Sequence, residues 1–263
     1  MNYYLALGLQ TVKEAKAYRL NFILSFLVIL IPLAGQLLLS KFIYARGFQL
    51  GSWQLNQLLA YYLIAIISSE FFSIGTWWDI VNDIRYGGLN SHLLKPYSYF
   101  WHNFTVYYTL RVVSISFAII VAYLAYVIVS GNLIPQLQLA SLVQFLLLAL
   151  IIAPLSFLIT YGLSLLTFFF TDIGFIMKLL GILLPFASGN ILPLDVFPYK
   201  IKEILIRLPS AYLVYHPSCI MSGMYTWNEF IRLIIEALLW LLIFIFIVWR
   251  LWSEGKKSYE AIG

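Results

Sequence analysis

Residues 112–171 read VVSISFAIIVAYLAYVIVSGNLIPQLQLASLVQFLLLALIIAPLSFLITYGLSLLTFFFT, sixty positions without an Asp, Glu, Lys or Arg. A helix rises about 1.5 Å per residue and the hydrocarbon core of a bilayer is about 30 Å thick, so about 20 apolar residues cross it. Sixty residues make two crossings and a turn. The turn is Ser130-Gly131-Asn132-Leu133-Ile134-Pro135-Gln136, where helix-breaking residues cluster. It places spans at 112–130 and 141–168.

The same reading extends outward. Between Arg19 and Lys41 nothing is charged, which gives a span at 20–40, and the uncharged stretch from Arg46 to Glu70 gives another at 54–76. A fifth at 173–192 contains Lys178 and Pro185 and dissolves at Ser188-Gly189-Asn190, and a sixth occupies 227–250. The expected fold is an all-α membrane protein, one transmembrane domain over 1–263 with six transmembrane helices. Composition agrees: 62% of residues are hydrophobic and 10% charged, against about 45–50% and 25% in soluble domains. A soluble fold of this length cannot hide so much apolar surface. Disorder demands the opposite composition.

Six crossings put both termini on one side, expected to be the cytoplasmic side of the cell (inner or plasma) membrane. Lys13, Lys16, Arg19, Arg85, Lys95, Arg111, Lys178, Arg250, Lys256 and Lys257 then lie inside or near that face. Lys41, Arg46, Lys200, Lys202, Arg207 and Arg232 lie outside. This is the bias that sets topology, and it accounts for the net charge of +5 without nucleic acid. The first apolar stretch is of spanning length with no small-residue cleavage site, so it reads as a retained anchor. One cysteine, Cys219, excludes an intrachain disulfide.

Three segments do more than cross. Residues 1–19 read as an amphipathic helix at the lipid interface. Residues 77–98 carry Ile80, Val81 and Ile84 on one face with Asp79, Asp83 and Arg85 elsewhere. Gly87 and Gly88 then break the helix, Leu89, Leu93 and Leu94 follow, and Pro96 stops it. Such a bent amphipathic element suits docking of a cytoplasmic partner. Between the fifth and sixth spans, Gly189-Asn190-Ile191-Leu192-Pro193 suggests re-entrant backbone, which survives at membrane depth only where protein or water satisfies it. An amphipathic helix is expected to start at Pro198 and end at Pro209, with Phe197 on its apolar side.

Ile84-Arg85-Tyr86-Gly87-Gly88-Leu89 followed by Leu93-Leu94-Lys95-Pro96-Tyr97-Ser98 resembles the cytoplasmic signature of exporter-type permease subunits of ATP-binding-cassette transporters. Tyr86 stands where many relatives carry an acidic residue. A second resemblance lies in Gly189-Asn190-Ile191-Leu192-Pro193-Leu194, Phe197-Pro198, Leu208-Pro209 and Tyr215-His216-Pro217. The resemblance implies a membrane half-transporter that pairs with a second permease, the same or different, on an ATP-binding-cassette ATPase dimer. Residues 77–98, with Asp79, Asp83, Ile84, Arg85, Gly87, Gly88, Leu89, Leu93 and Leu94, would be the coupling helix. Gly189, Asn190, Pro193, Phe197, Pro198 and Pro209 would form the outer gate. ATP and Mg2+ would belong to the partner, because this sequence has no G-x-x-x-x-G-K-[ST] loop.

Other chemistry is sparse. No His, Cys or carboxylate spacing suits a metal, and no nucleophile stands beside a base and an orienting acid, so no catalytic residue is expected. Glu70 is an acid inside an apolar segment, with Arg111 at the inner edge of the third span or Lys178 as its expected partner. The alternative function is a stand-alone ion- or proton-coupled carrier in which Glu70 takes the proton. Arg232 and Glu236, at i and i+4, read as a local ion pair.

Overall fold

The computed structural model describes residues 3–17, 19–51, 53–72, 77–130, 138–170 and 173–259, and within these every regular element is helical. α1 (Tyr3–Ala17) precedes α2 (Arg19–Ala45), and α3 (Leu55–Phe71) is followed by two short helices, α4 (Trp77–Arg85) and α5 (Gly88–Leu93). Two long helices come next, α6 (Tyr99–Ser130) and α7 (Leu139–Leu165), then α8 (Gly174–Ala187). Three short pieces, α9 (Tyr199–Leu205), α10 (Pro209–Leu213) and α11 (Tyr215–Met221), lead to α12 (Trp227–Ser258). Most of the expected turn at 130–136 lies outside the described residues.

Among the described residues, four stretches are long and apolar enough to cross a bilayer: Leu27–Ala45, Tyr99–Ala125, Leu139–Phe168 and Trp227–Ser258. The other two expected spans are shorter than the sequence suggests. α3 has 17 residues and α8 has 14, which at 1.5 Å per residue gives about 25 and 21 Å. An uncharged run does not guarantee an unbroken helix: Phe72 closes α3 with its N–H on the Ser68 carbonyl, while α8 ends at the expected Ser188-Gly189-Asn190 break, the Ser188 N–H on the Leu184 carbonyl. The third span also differs. α6 begins at Tyr99 rather than 112, so Arg111 sits twelve residues inside a helix instead of at its edge.

α7 and α12 form the spine of the bundle. α12 also meets the 3-10 turn after α7, where glycine is required at Gly255 because a Cβ would stand 2.3 Å from the Phe168 ring. Around that contact Tyr99, Phe100, Phe104, Phe157, Tyr161 and Trp252 pack edge-on, tilted or stacked, with Tyr99 and Trp252 stacked at 5.8 Å. Rings in these geometries gain beyond their buried area. The outward faces of α2, α7 and α12 keep Val28, Ile31, Leu38, Leu150 and Phe246 exposed, as helices bathed in acyl chains do.

Candidate functional site

Two regions of the bundle carry the residues singled out from sequence, and they are built differently. In the first, α4 and α5 fold against α7 and α6. Ile80, Ile84 and Leu89 enter the aromatic cluster of Tyr99, Tyr107, Phe157 and Tyr161, while Val81 packs on Ile173 and Met177. Burying each such side chain contributes about 1.5–3 kcal/mol. The side chains of Ile84 and Leu89 are buried in the chain's own bundle, where they fix the element. What stays outside is Asp79, Trp78, Tyr86, Leu93 and Leu94, the last 89% exposed.

The bend is held by Asp83 and the glycine pair. Tyr99 donates its hydroxyl hydrogen to Asp83 Oδ2 at 2.8 Å, and His92 Nε2 lies 3.6 Å from the same oxygen, so one carboxylate ties α4 to α5 and α6. Gly87 caps α5 with φ of 78°, a left-handed conformation that favours glycine. At Gly88 a Cβ would come within 2.8 Å of Asp83 Oδ1. Arg85 follows on the last turn of α4, half-buried. Alongside, Tyr3 of α1 stacks on Tyr97 at 4.6 Å and shares a hydrogen bond of 2.8 Å with His102 Nδ1.

Deeper in the bundle, Arg111 is only 9% exposed, lies over the Tyr107 ring at 5.0 Å, and acts electrostatically on the Glu70 carboxylate. Its Nε has no hydrogen-bond partner among the described residues. Lys178 is exposed on α8, and of the two expected partners Arg111 is the one that acts on the Glu70 carboxylate. Glu236 likewise is not taken up by Arg232: it accepts a 2.6 Å hydrogen bond from the Tyr212 hydroxyl.

The second region is the break after α8. Gly189 turns with φ of 80°, and the N–H groups of Asn190 and Ile191 both return to the Pro185 carbonyl. The carbonyls freed at the break find distant donors. Tyr61 reaches Gly189 O at 2.7 Å, Gln36 Nε2 reaches Asn190 O at 2.8 Å, and the Tyr215 N–H reaches Ser188 O at 3.0 Å. Irregular backbone inside an apolar bundle persists when protein groups satisfy it in this way. Pro193 then caps a single 3-10 turn over Leu194–Val196, Phe197 closes it, and Pro198 caps α9. One expectation fails here: α9 ends at Leu205, and Pro209 starts α10 rather than stopping α9, its missing N–H being harmless at a first helical position.

A polar cluster closes this segment. Lys202 pairs with Asp195 at 2.6 Å, and Tyr215 donates to the other Asp195 oxygen at 2.8 Å. His216 bonds Ile206 O through Nε2 at 2.9 Å and the Tyr225 oxygen through Nδ1 at 2.7 Å. A carbonyl only accepts, so Nε2 carries the proton and Tyr225 donates to Nδ1. Burial pushes the His216 pKa down to about 4.

A family described as ABC-2 family transporter protein matches residues 30–263. The chain belongs to this family. No curated protein matches it. As an ABC-2 permease it is the multi-pass membrane component of an ATP-binding-cassette transporter, and membership implies association with an ATP-binding-cassette ATPase. The match covers both regions described above.

Several of the permease's site-building residues escape a reading by motif. Gln36 and Tyr61 support the break from α2 and α3, and Tyr99 holds Asp83. Gln36, a lone amide in a run of leucines, was the one detectable signal. The tyrosines were hidden among many.

Proposed function

We propose that this permease is the membrane half of an ATP-driven exporter. It crosses the bilayer six times with both termini cytoplasmic. A second permease subunit, the same or different, pairs with it, and an ATPase dimer binding ATP and Mg2+ docks on residues 77–98. The observation that carries this reading is the α4–α5 element, rigidly packed on its inner side and bearing Leu93 and Leu94 on its outer side.

An element built this way transmits force. Closure of the ATPase pushes on the exposed tip, and Ile80, Val81, Ile84 and Leu89 pass the displacement to α7 and α6 because packed interiors yield little. The push need only bias two arrangements of the paired bundles by several kcal/mol. Glu70, facing Arg111, reads as one half of a structural charge pair between α3 and α6.

The test is capture of an ATP-binding-cassette ATPase from the same genome by the tagged full chain. Leu94→Asp and Gly87→Pro are expected to reduce capture at least tenfold, while Tyr199→Asp, exposed on α9, leaves it unchanged. Equal capture by all variants overturns the proposal.

A further inference from the structure

The C-terminal ends of the two short helices, α3 and α8, meet at a cavity of about 240 Å³ that also touches α10. Among the described residues its polar lining is Ser69, Ser188, Asn190 and Ser210, and none lining it is acidic, basic or histidine. Phe72, Leu184 and Leu213 complete the wall.

The hydroxyls are committed in one direction. Ser69 donates to Ile66 O at 3.0 Å, Ser188 to Pro185 O at 3.4 Å, and Ser210 to Ala187 O at 3.2 Å. Each hydroxyl has one hydrogen and two lone pairs, so only acceptors remain to face the cavity. The carbonyl ends of α3 and α8 add partial negative charge at the same place. An anion is repelled by this lining. A full cation would lose its hydration with no carboxylate to compensate. The Asn190 amide adds a donor and an acceptor.

We infer that this cavity is a subsite for the uncharged, hydrogen-donating part of an amphipathic solute, such as a hydroxyl- or amide-bearing group, with Phe72, Leu184 and Leu213 receiving its apolar portion. The inference rests on the exporter reading and narrows its cargo. The size and mixed lining suit part of a ligand rather than all of it.

The experiment uses the full chain in lipid nanodiscs and three fluorescent probes sharing one dansyl-decyl body, with glucosyl, trimethylammonium or carboxylate heads. The glucosyl probe is expected to bind at least tenfold more tightly than either charged probe. Asn190→Ala should weaken it about fivefold, as loss of one hydrogen bond does, and Leu184→Trp, which fills the cavity, should abolish it. A charged probe binding equally well, no glucosyl binding, or unchanged glucosyl affinity in Asn190→Ala overturns the inference. If Leu184→Trp fails to fold, the Asn190→Ala arm decides. ATPase capture through α4–α5 is read on the same variants: capture retained without glucosyl selectivity sinks this inference alone, and capture lost in the parent chain sinks the exporter reading.

Discussion

The Tyr61 hydroxyl hydrogen-bonds the Gly189 carbonyl at 2.7 Å, joining residues 128 apart in sequence, and both partners are constrained by that contact. A Cβ on Gly189 would meet the same hydroxyl oxygen at 2.7 Å, at a φ of +80° that L side chains rarely adopt. Tyr61→Phe is expected to cost about 1–3 kcal/mol, the penalty for an unsatisfied buried carbonyl. Gly189→Ala should cost more, since clash and backbone strain add. Thermal unfolding of the purified chain in detergent ranks the two, and a Gly189→Ala protein as stable as the parent refutes this account of the break.

Gly255 and Phe168 make a second such pair. Gly255→Ala should destabilise by about 1–3 kcal/mol because the ring must move. Combining it with Phe168→Ala should cost less than the sum of the single changes, as contacting sites do. Strict additivity in a double-mutant cycle would show that α12 does not meet that turn there.

Asp83 offers a test of coupling rather than stability. Asp83→Asn keeps an acceptor for Tyr99, whereas Asp83→Ala removes it. ATPase activity of the assembled transporter should stay near normal in the first and drop severalfold in the second, with ATPase capture retained in both. Loss of capture in both variants would instead make Asp83 part of the docking surface.

His216 sets a pH dependence. Its folded pKa is about 4, below the ordinary value near 6.5. The unfolded chain therefore binds a proton that the folded one refuses, and the stability contributed by the neutral ring is full above pH 6.5. It falls as pH drops toward 4, by about 3 kcal/mol in all. His216→Gln should flatten that part of the pH–stability curve. An unchanged slope would place the titration elsewhere.

Cys219 is buried on α11, and burial pushes its thiol pKa up. Maleimide labelling of the folded chain should be slow and become rapid in denaturant. Fast labelling of the native protein would mean that α11 opens.

The sequence made the long apolar runs readable because nothing but helix fits sixty uncharged residues in lipid. The helix at Leu139–Phe168 falls within two residues of its expected start. The end of α8 was legible at Ser188-Gly189-Asn190, but the end of α3 was not. Phe72 is not a strong breaker, and the backbone that follows α8 is held by contacts far away in the chain, such as Gln36 with Asn190. The amphipathic pattern of 77–98 was visible, but which face turns inward was not. Ile84 and Leu89 look as suited to a partner as to α7, and only the waiting ring cluster decides. Arg111 illustrates the opposite failure: a charge suggested a span boundary, while its guanidinium over Tyr107 lets the helix run on.

The segment between α8 and α12 is stitched on several sides. Gln36 holds it from α2, Tyr61 from α3, and the Trp240 indole N–H of α12 reaches the Arg207 carbonyl at 2.9 Å. No single hinge can release it, because each suture left intact keeps it seated. Displacing this segment breaks contacts to three separate helices, so a partial displacement leaves some of them in place.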